Sequence, residues 1–199
     1  MQSCSIGNGI TSCNGGLVPP FHRRDFLKLS LGIIAGSLFP YPAFGYALEQ
    51  VECPRTLSFY NIHTGEELSV CYHENGIYQP EALVQINHIL RDFRTDDIVP
   101  INPGLLNLLY RIRCRTEKTT PFHVISGYRS PKTNEMLRHI TSGVAKNSLH
   151  TKGEAIDIRL PGFSTRHLRD VCINLRAGGV GFYPKSDFVH VDIGNIRCW

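Results

Sequence analysis

Hydrophobic and polar residues alternate in two segments near the end of the chain, and this alternation predicts two strands. In the segment 155–160 every second residue is isoleucine or leucine, and Asp157 falls on the opposite side. In the segment 188–193 every second residue is valine or isoleucine, and His190 falls on the opposite side. If both strands turn their apolar sides toward a core, Asp157 and His190 lie on the same polar face of a sheet.

The patterns in the rest of the chain predict further strands and several helices. Two alternating segments, 56–62 and 67–72, flank a turn that contains Gly65 and predict a β-hairpin. Apolar residues at helical spacing predict helices over about 80–94, 103–115, 131–142 and 164–176, and shorter strands are predicted at 122–126 and 178–184. We therefore expect an α+β fold in which helices pack on one side of a small antiparallel sheet.

Three side chains in the second half of the chain are candidate metal ligands. His150 precedes Asp157 closely, and His190 follows on the second of the two predicted strands. Two histidines and one carboxylate, with a fourth position left for water, form the composition of a catalytic zinc site rather than a structural one. A single histidine on a strand is more often a surface residue or a satisfied core residue, so the composition alone only suggests a site.

Sequence motifs around these residues resemble a known family. The segment 148–157 has the pattern Ser-x-His-x-x-Gly-x-Ala-x-Asp, and the later strand carries His-x-Asp. Together they resemble the D-Ala-D-Ala metallopeptidase family, which shares its zinc fold with lysostaphin-type enzymes and the hedgehog signalling domain. The segments 126–130 and 176–184 also fit this family, and more narrowly its murein endopeptidase branch. The resemblance covers the chain from about residue 55 onward.

The resemblance implies a metal site and an activity. It implies one Zn²⁺ per chain, bound by His150, Asp157 and His190 on the face of the sheet opposite the helices. It also implies hydrolysis of peptidoglycan cross-links between stem peptides, including those between two diaminopimelates. The alternative activity on the same scaffold is a carboxypeptidase that removes terminal D-Ala. A different class of protein, a zinc-bearing cell-wall-binding protein without turnover, is the other alternative.

Several further residues acquire expected roles from the resemblance. Tyr128 and Arg129 would line the active site, where the arginine stabilises charge on the scissile carbonyl oxygen, and Ser148 would also contact substrate. A rigid guanidinium suits that role, whereas an arginine in a surface loop is more often a solvated cation. The intact Arg129 and a carboxylate available as a base count against a protein that only binds.

Two aspartates are candidates for the general base that takes a proton from the attacking water. Asp187 precedes His190 by three residues, which is the position of the base in the resembled family. Strand alternation alone would place Asp187 on the wrong face, so this assignment requires the strand to begin after it. Asp192 has the right alternation and lies about 6.6 Å from His190 along a strand. It is the alternative base, or a group that orients a ligand. We favour Asp187.

The first 47 residues have the pattern of an export signal. Arg23 and Arg24 precede the apolar run 29–39, which resembles a twin-arginine signal and is shorter than the ~20 residues of a membrane span. Cleavage would follow Gly45 or Ala47, and an uncleaved signal anchor is the alternative. We therefore expect export by the twin-arginine translocase, a periplasmic metallopeptidase domain over residues 48–199, and no stable membrane anchor after cleavage. The residues before the signal are rich in glycine, serine and asparagine, which indicates disorder or a start codon placed too early.

Composition limits the remaining function classes. The 199 residues, 42% of them hydrophobic, can form one domain with a sizeable core. A net charge of +4 argues neither for nucleic acid nor for a polybasic membrane anchor. Of the seven cysteines, the five beyond the signal have no spacing typical of a zinc ribbon, and their disulfide pairing stays open: Cys53, Cys71, Cys114, Cys172 and Cys198.

Overall fold

A single sheet runs through the part of the chain that the structure describes. The structure is a computed structural model and describes residues 53–140 and 144–199. The strands are β1 Arg55–Asn61, β2 Glu67–Glu74, β3 Ile77–Tyr78, β4 Phe122–Ser126, β5 Ala155–Arg159, β6 Gly179–Tyr183, β7 Phe188–Asp192 and β8 Arg197–Cys198. Their order across the sheet is β3-β2-β1-β4-β5-β7-β6-β8. The predicted signal peptide, residues 1–47, lies outside the described residues.

Within the two described ranges the chain forms four α-helices, at the places where the sequence predicted helices. They are α1 Pro80–Ile89, α2 Pro103–Thr116, α3 Pro131–Ile140 and α4 Thr165–Leu175. The first three begin with proline, whose missing N–H costs nothing in the first helical turn. The Asn102 side chain caps α2 by accepting a hydrogen bond from the Gly104 N–H. Ser164 occupies the capping position of α4, but its side chain makes no capping hydrogen bond.

The sheet is mixed and has eight strands, so the prediction of a small, purely antiparallel sheet was wrong. The α+β class is confirmed, and β1 and β2 form the predicted antiparallel hairpin. However, β1 pairs in parallel with β4, and β6 pairs in parallel with β8. The chain between β1 and β4 contains α1 and α2, and such a crossover can return the chain in the same direction as before. The packing of all helices on one side of the sheet stays a prediction.

The hydrophobic core joins the helices to the central strands. Buried side chains from α1, α2 and α4 form one cluster with buried residues of β1, β4, β5, β6 and β7. The isoleucines of β5 and the valines of β7 are at most 1% exposed, as their alternation predicted: Ile156, Ile158, Val189 and Val191. Burying such side chains is the main favourable term in folding. The apolar sides of these strands thereby fix which side chains face away from the core.

Helix α1 is shorter than the sequence pattern predicted. It ends at Ile89 rather than near Arg94, and the chain continues in tight turns. The buried carboxylate of Asp92 accepts a hydrogen bond from the Arg94 N–H at 3.0 Å, and the Asp92 carbonyl accepts one from the Asp96 N–H. These local bonds compete with the helical pattern and end the helix.

No helix in residues 53–140 or 144–199 combines the length and the hydrophobicity needed to cross a bilayer.

The five cysteines in these ranges are free thiols, and Cys172 is buried. Its burial raises the pKa of the Cys172 thiol to about 12, so that this sulfur is an unreactive part of the core.

Candidate metal centre

The register of the central strands aligns polar residues across the sheet. Ser126 of β4 pairs with Asp157 of β5, Asp157 pairs with His190 of β7, and His190 pairs with Gly181 of β6. Asp157 and His190 therefore share one face, as the alternation of their strands predicted. Opposite residues in adjacent strands lie about 4.5–5.5 Å apart, close enough for both side chains to reach one ion.

His150 reaches the same point from a short 3₁₀ turn, Leu149–Lys152, just before β5. The Thr151 hydroxyl donates to the Ser148 carbonyl at 2.7 Å and tightens this turn. Gly153 ends it with a φ of +68°, and a Cβ atom at this position would lie 2.7 Å from the Pro100 carbonyl oxygen. The His-x-x-Gly spacing thus reflects a backbone conformation that other residues adopt only with strain.

Three potential ligand atoms converge at this point. His190 Nδ1 lies 2.8 Å from Asp157 Oδ1 and 3.1 Å from His150 Nε2, and the Asp157 and His150 atoms lie 3.3 Å apart. In tetrahedral zinc sites, bonds of about 2.0–2.2 Å place neighbouring ligand atoms about 3.3 Å apart. The three side chains are buried and offer one ligand atom each. Their spacing and chemistry therefore fit a zinc ion.

The second nitrogen of each imidazole is held by another part of the chain. His150 Nδ1 lies 2.8 Å from the Gly127 carbonyl oxygen. His190 Nε2 lies 3.1 Å from Asp192 Oδ2, and Asp192 is fully buried. Metal-binding histidines in proteins commonly have such partners, which fix the tautomer and the ring orientation. The partners found here leave the facing nitrogens, His150 Nε2 and His190 Nδ1, free to bind a metal.

Asp192 is itself held by several donors. It accepts hydrogen bonds from the N–H groups of Gly179 and Gly194 at 2.9 and 2.8 Å, and from Arg197 at 2.7 Å. Burial alone would raise the pKa of Asp192, but His190 and the two N–H groups hold that pKa well below its usual range. Asp192 is therefore a fixed, charged carboxylate behind His190.

The electrostatics of the cluster favour a cation between its members. Burial would raise the pKa of Asp157, but His150 and His190 hold it well below its usual range. Burial would lower the pKa of His190, but Asp157 and Asp192 outweigh it and raise that pKa to about 9. Asp157 and Asp192 thus stabilise one positive charge at His190, which either a bound proton or a bound metal ion can supply.

Arg129 lies beside the three converging side chains. Its backbone N–H donates to the His150 carbonyl at 3.1 Å, and its Nη2 lies 3.6 Å from Asp157 Oδ2. The Arg129 Nε is buried and has no hydrogen-bond partner among residues 53–140 and 144–199. Burial lowers the pKa of Arg129, mainly because its charge is partly removed from water. The guanidinium is therefore close to the cluster and only partly paired.

An open cleft of about 360 Å³ leads to the cluster. Of the residues predicted for the site, it is lined by His150, Asp157, His190, Arg129, Ser148 and Asp192. The sequence interpretation missed an aromatic and cationic part of the lining: Tyr183, Phe188, Arg197 and Trp199.

Tyr128 is not among the lining residues. It is 8% exposed and belongs to the hydrophobic core, and its backbone N–H donates to the Leu90 carbonyl at 2.7 Å. Burial raises the pKa of Tyr128. The tyrosine therefore anchors the loop that carries Arg129.

Asp187 lies outside the cleft lining, although the residues on both sides of it belong to that lining. Strand β7 begins after it, at Phe188, as the assignment of Asp187 as the base required. Asp187 has a φ of +51°, and its exposed carboxylate accepts a hydrogen bond from the Thr165 hydroxyl and lies 3.5 Å from Arg159. The structure does not place this carboxylate in the cluster.

Comparisons with known proteins agree on one family. A sequence model described as Peptidoglycan L,D-endopeptidase MepK matches residues 49–199. The protein of that name from Escherichia coli (strain K12) is 41% identical over 178 residues, which cover 89% of this chain and 97% of the relative. The probable peptidoglycan L,D-endopeptidase MepK of Haemophilus influenzae is 40% identical over 172 residues, covering 86% of this chain and 92% of the relative.

Proposed function

This chain belongs to the peptidoglycan L,D-endopeptidase MepK family of metallopeptidases. We propose that it uses one bound zinc ion to hydrolyse peptidoglycan cross-links. His150, Asp157 and His190 would hold the ion. The substrates would be cross-linked stem peptides, including those joined by a bond between two diaminopimelates. The observation that carries this proposal is the convergence of three ligand atoms within 3.3 Å of one another at an open cleft.

The chain's own residues have separate tasks in this proposal. Bound zinc would supply Lewis acidity, which polarises a peptide carbonyl and lowers the pKa of a water molecule toward neutrality. Asp192 would hold His190 in one orientation, because its carboxylate is buried and bonded to His190 Nε2. Gly127 would do the same for His150 through its carbonyl oxygen.

Arg129 would stabilise the negative charge that develops on the scissile carbonyl oxygen. Its guanidinium lines the cleft beside Asp157, and its buried Nε lacks a partner within the described residues. A fixed cation in a partly dehydrated site acts more strongly than the same cation in water. Ser148, which is 9% exposed and also lines the cleft, would contact the substrate.

Asp187 stays our candidate for the general base. Asp192 is bonded to His190, Arg197 and two backbone N–H groups, which makes it a poor acceptor for another proton. Asp187 is exposed, and its carboxylate contacts the Thr165 hydroxyl and the Arg159 guanidinium. To act as the base, its carboxylate must leave those two partners and turn toward the cleft that Ser186 and Phe188 line.

A chelation experiment with defined substrates tests the proposed activity. The purified protein is incubated with a dimer joined by a diaminopimelate–diaminopimelate bond, a dimer joined by a D-Ala–diaminopimelate bond, and a monomer that ends in D-Ala-D-Ala. We expect conversion of the first dimer to monomers, loss of activity with a chelator, and recovery with zinc. Release of D-Ala alone would indicate a carboxypeptidase. Binding to the dimers without any product would indicate a protein that only binds.

We further propose that the chain is exported to the periplasm by the twin-arginine translocase. The support is the sequence around Arg23 and Arg24, with the apolar run that follows. The mature protein would begin near Tyr46 or Leu48 and keep no membrane anchor. Replacing both arginines with lysine should leave the precursor in the cytoplasm. Unchanged processing of that variant would contradict the proposed route.

A further inference from the structure

The indole of Trp199 forms part of the cleft wall next to a proposed zinc ligand. The centres of the Trp199 and His190 rings lie 5.3 Å apart. Trp199 lines the cleft, and 52% of its surface is exposed. Apolar side chains of this size are usually buried, so a half-exposed indole inside a concave site indicates a contact surface for a ligand.

The backbone holds this indole in one place. The Trp199 N–H donates to the Val180 carbonyl at 3.2 Å, and the Phe182 N–H donates to the Trp199 carbonyl at 3.0 Å. The side chain then lies against Gly181, where a Cβ atom would come within 2.8 Å of the indole ring. Gly181 is the residue that pairs with His190 across the sheet, so its missing side chain lets the indole approach the cluster.

Side-chain contacts add to this placement. Trp199 Nε1 donates to the Tyr183 hydroxyl at 2.9 Å, and the Tyr183 ring stacks on Phe188 with the ring centres 4.5 Å apart. The Arg197 guanidinium carbon lies 5.1 Å from the centre of the Trp199 ring. The indole is therefore positioned before any ligand arrives, which reduces the entropy lost on binding.

We propose that Trp199 is a substrate-binding residue whose exposed face packs against the aliphatic part of the stem-peptide residue next to the scissile bond. This proposal rests on the proposed endopeptidase function. The cleft lining also includes the apolar residues Val144, Ala145 and Leu149, so an aliphatic chain in the cleft would meet apolar groups besides the indole. Arg197 lies beside the indole and would attract a carboxylate at the end of such a chain.

Kinetics of a small set of variants test the role of Trp199. In Trp199→Ala, KM for the cross-linked dimer should rise about tenfold, because one large aromatic contact of about 1.5 kcal/mol is lost. Trp199→Phe should recover most of that loss. Gly181→Ala keeps the indole but displaces it and should resemble Trp199→Ala. Tyr183→Phe removes the hydrogen bond that helps to position the indole and should raise KM by less than Trp199→Ala does.

A fluorescence titration tests the same proposal without turnover. Trp199 is the chain's single tryptophan, so its emission reports on the cleft alone. The wild-type protein is freed of metal with a chelator and titrated with the dimer. We expect a saturable change in indole emission. A constant emission at every dimer concentration, or a Trp199→Ala variant with KM and kcat within about twofold of wild type, would overturn the proposal.

The two experiments also separate this proposal from the proposed function. If the zinc-loaded wild-type protein cleaves the dimer while the emission stays constant, the endopeptidase proposal stands and the role of Trp199 is wrong. If the wild-type protein cleaves no dimer, the endopeptidase proposal fails. The titration then still decides whether the peptide contacts Trp199.

Discussion

Asp192 Oδ2 lies 3.1 Å from Nε2 of His190, on the side of the imidazole that faces away from the proposed metal position. The nitrogen on the other side, Nδ1, lies 2.8 Å from Asp157 Oδ1. A histidine placed between two carboxylates in this way can bind a metal through one nitrogen while the other is held as a donor. Asp157 is therefore a proposed metal ligand, whereas Asp192 orients His190 from the other side of the ring.

Replacing Asp192 with asparagine should therefore weaken zinc binding. The amide of Asp192→Asn keeps the size of the side chain but loses the charge that stabilises the His190 N–H, and we expect about 10–100-fold lower zinc affinity. Activity should partly return at high zinc concentration. A competition titration with a fluorescent zinc chelator measures the affinity. A variant that binds zinc normally and yet shows no activity at saturating zinc would instead identify Asp192 as the base.

Replacing Asp187 with asparagine should affect turnover without affecting the metal. A general base contributes roughly 10²–10⁴-fold to the rate, and an amide cannot accept the proton. We expect Asp187→Asn to lose at least about 100-fold in kcat and to retain its zinc. Asp96→Asn is a matched control, because Asp96 is also exposed, has a φ of +58° and pairs with an arginine, Arg91.

Near-normal turnover in Asp187→Asn would show that this side chain is not the base. The Asp187→Asn substitution does not strain the backbone at this position, since asparagine adopts a positive φ as readily as aspartate does. If Asp187→Asn and Asp192→Asn both stay active, neither aspartate acts as the base.

Arg129→Lys should reduce turnover although it keeps the positive charge. The lysine ammonium is a point charge on a flexible chain and cannot reproduce the fixed guanidinium plane. Loss of one donor to a developing oxyanion typically costs about 10²–10³-fold in kcat, and KM should change little. Arg169→Lys is the control, since Arg169 pairs with Asp170. Equal kcat for Arg129→Lys and wild type would remove Arg129 from the mechanism.

Asp92 links the stability of the Arg129 loop to pH. Its buried carboxylate accepts a hydrogen bond from the Ser130 N–H at 2.8 Å. Burial alone would raise the pKa of Asp92, but the Thr133 hydroxyl and the N–H groups of Ser130 and Arg94 outweigh it and lower that pKa. Because the folded protein binds this proton less tightly than the unfolded chain, the contribution to stability is present above about pH 4. It is lost as the pH falls through the folded-state pKa.

Asp92→Asn should therefore lower the free energy of unfolding by about 2–3 kcal/mol near neutral pH. The difference from wild type should shrink below about pH 4. Urea denaturation at a series of pH values measures both effects, with the partly exposed Asp170→Asn as the control for losing one negative charge. A difference that stays constant down to pH 2 would show that the Asp92 carboxylate does not carry this stability.

The sequence predicted the polar face of the central strands well, for a physical reason. Ile156 and Ile158 must be buried, and a strand that buries them turns Asp157 to the other side. The hairpin and the helix starts at Pro80 and Pro103 depend on local residues in the same way. The site's three proposed ligands could be selected because their spacing also resembles a known motif.

The remaining features depend on contacts between distant parts of the chain. The parallel pairing of β1 with β4 follows from a crossover through two helices, which strand alternation does not encode. Tyr128 was expected in the active site, but its burial in the core is set by the packing of the whole loop. Trp199 follows a two-residue strand without any alternation, and the close packing of its indole against Gly181 is visible only in the structure.

Zinc stoichiometry tests the central claim, that His150, Asp157 and His190 form a metal site. The purified protein is supplemented with zinc, passed through a desalting column and measured by elemental analysis. We predict about one zinc per chain for wild type and for a control with His88→Ala and His139→Ala, and no zinc for the variant with His150→Ala and His190→Ala. Wild-type protein without zinc, or full zinc retention in the His150/His190 variant, would contradict the account.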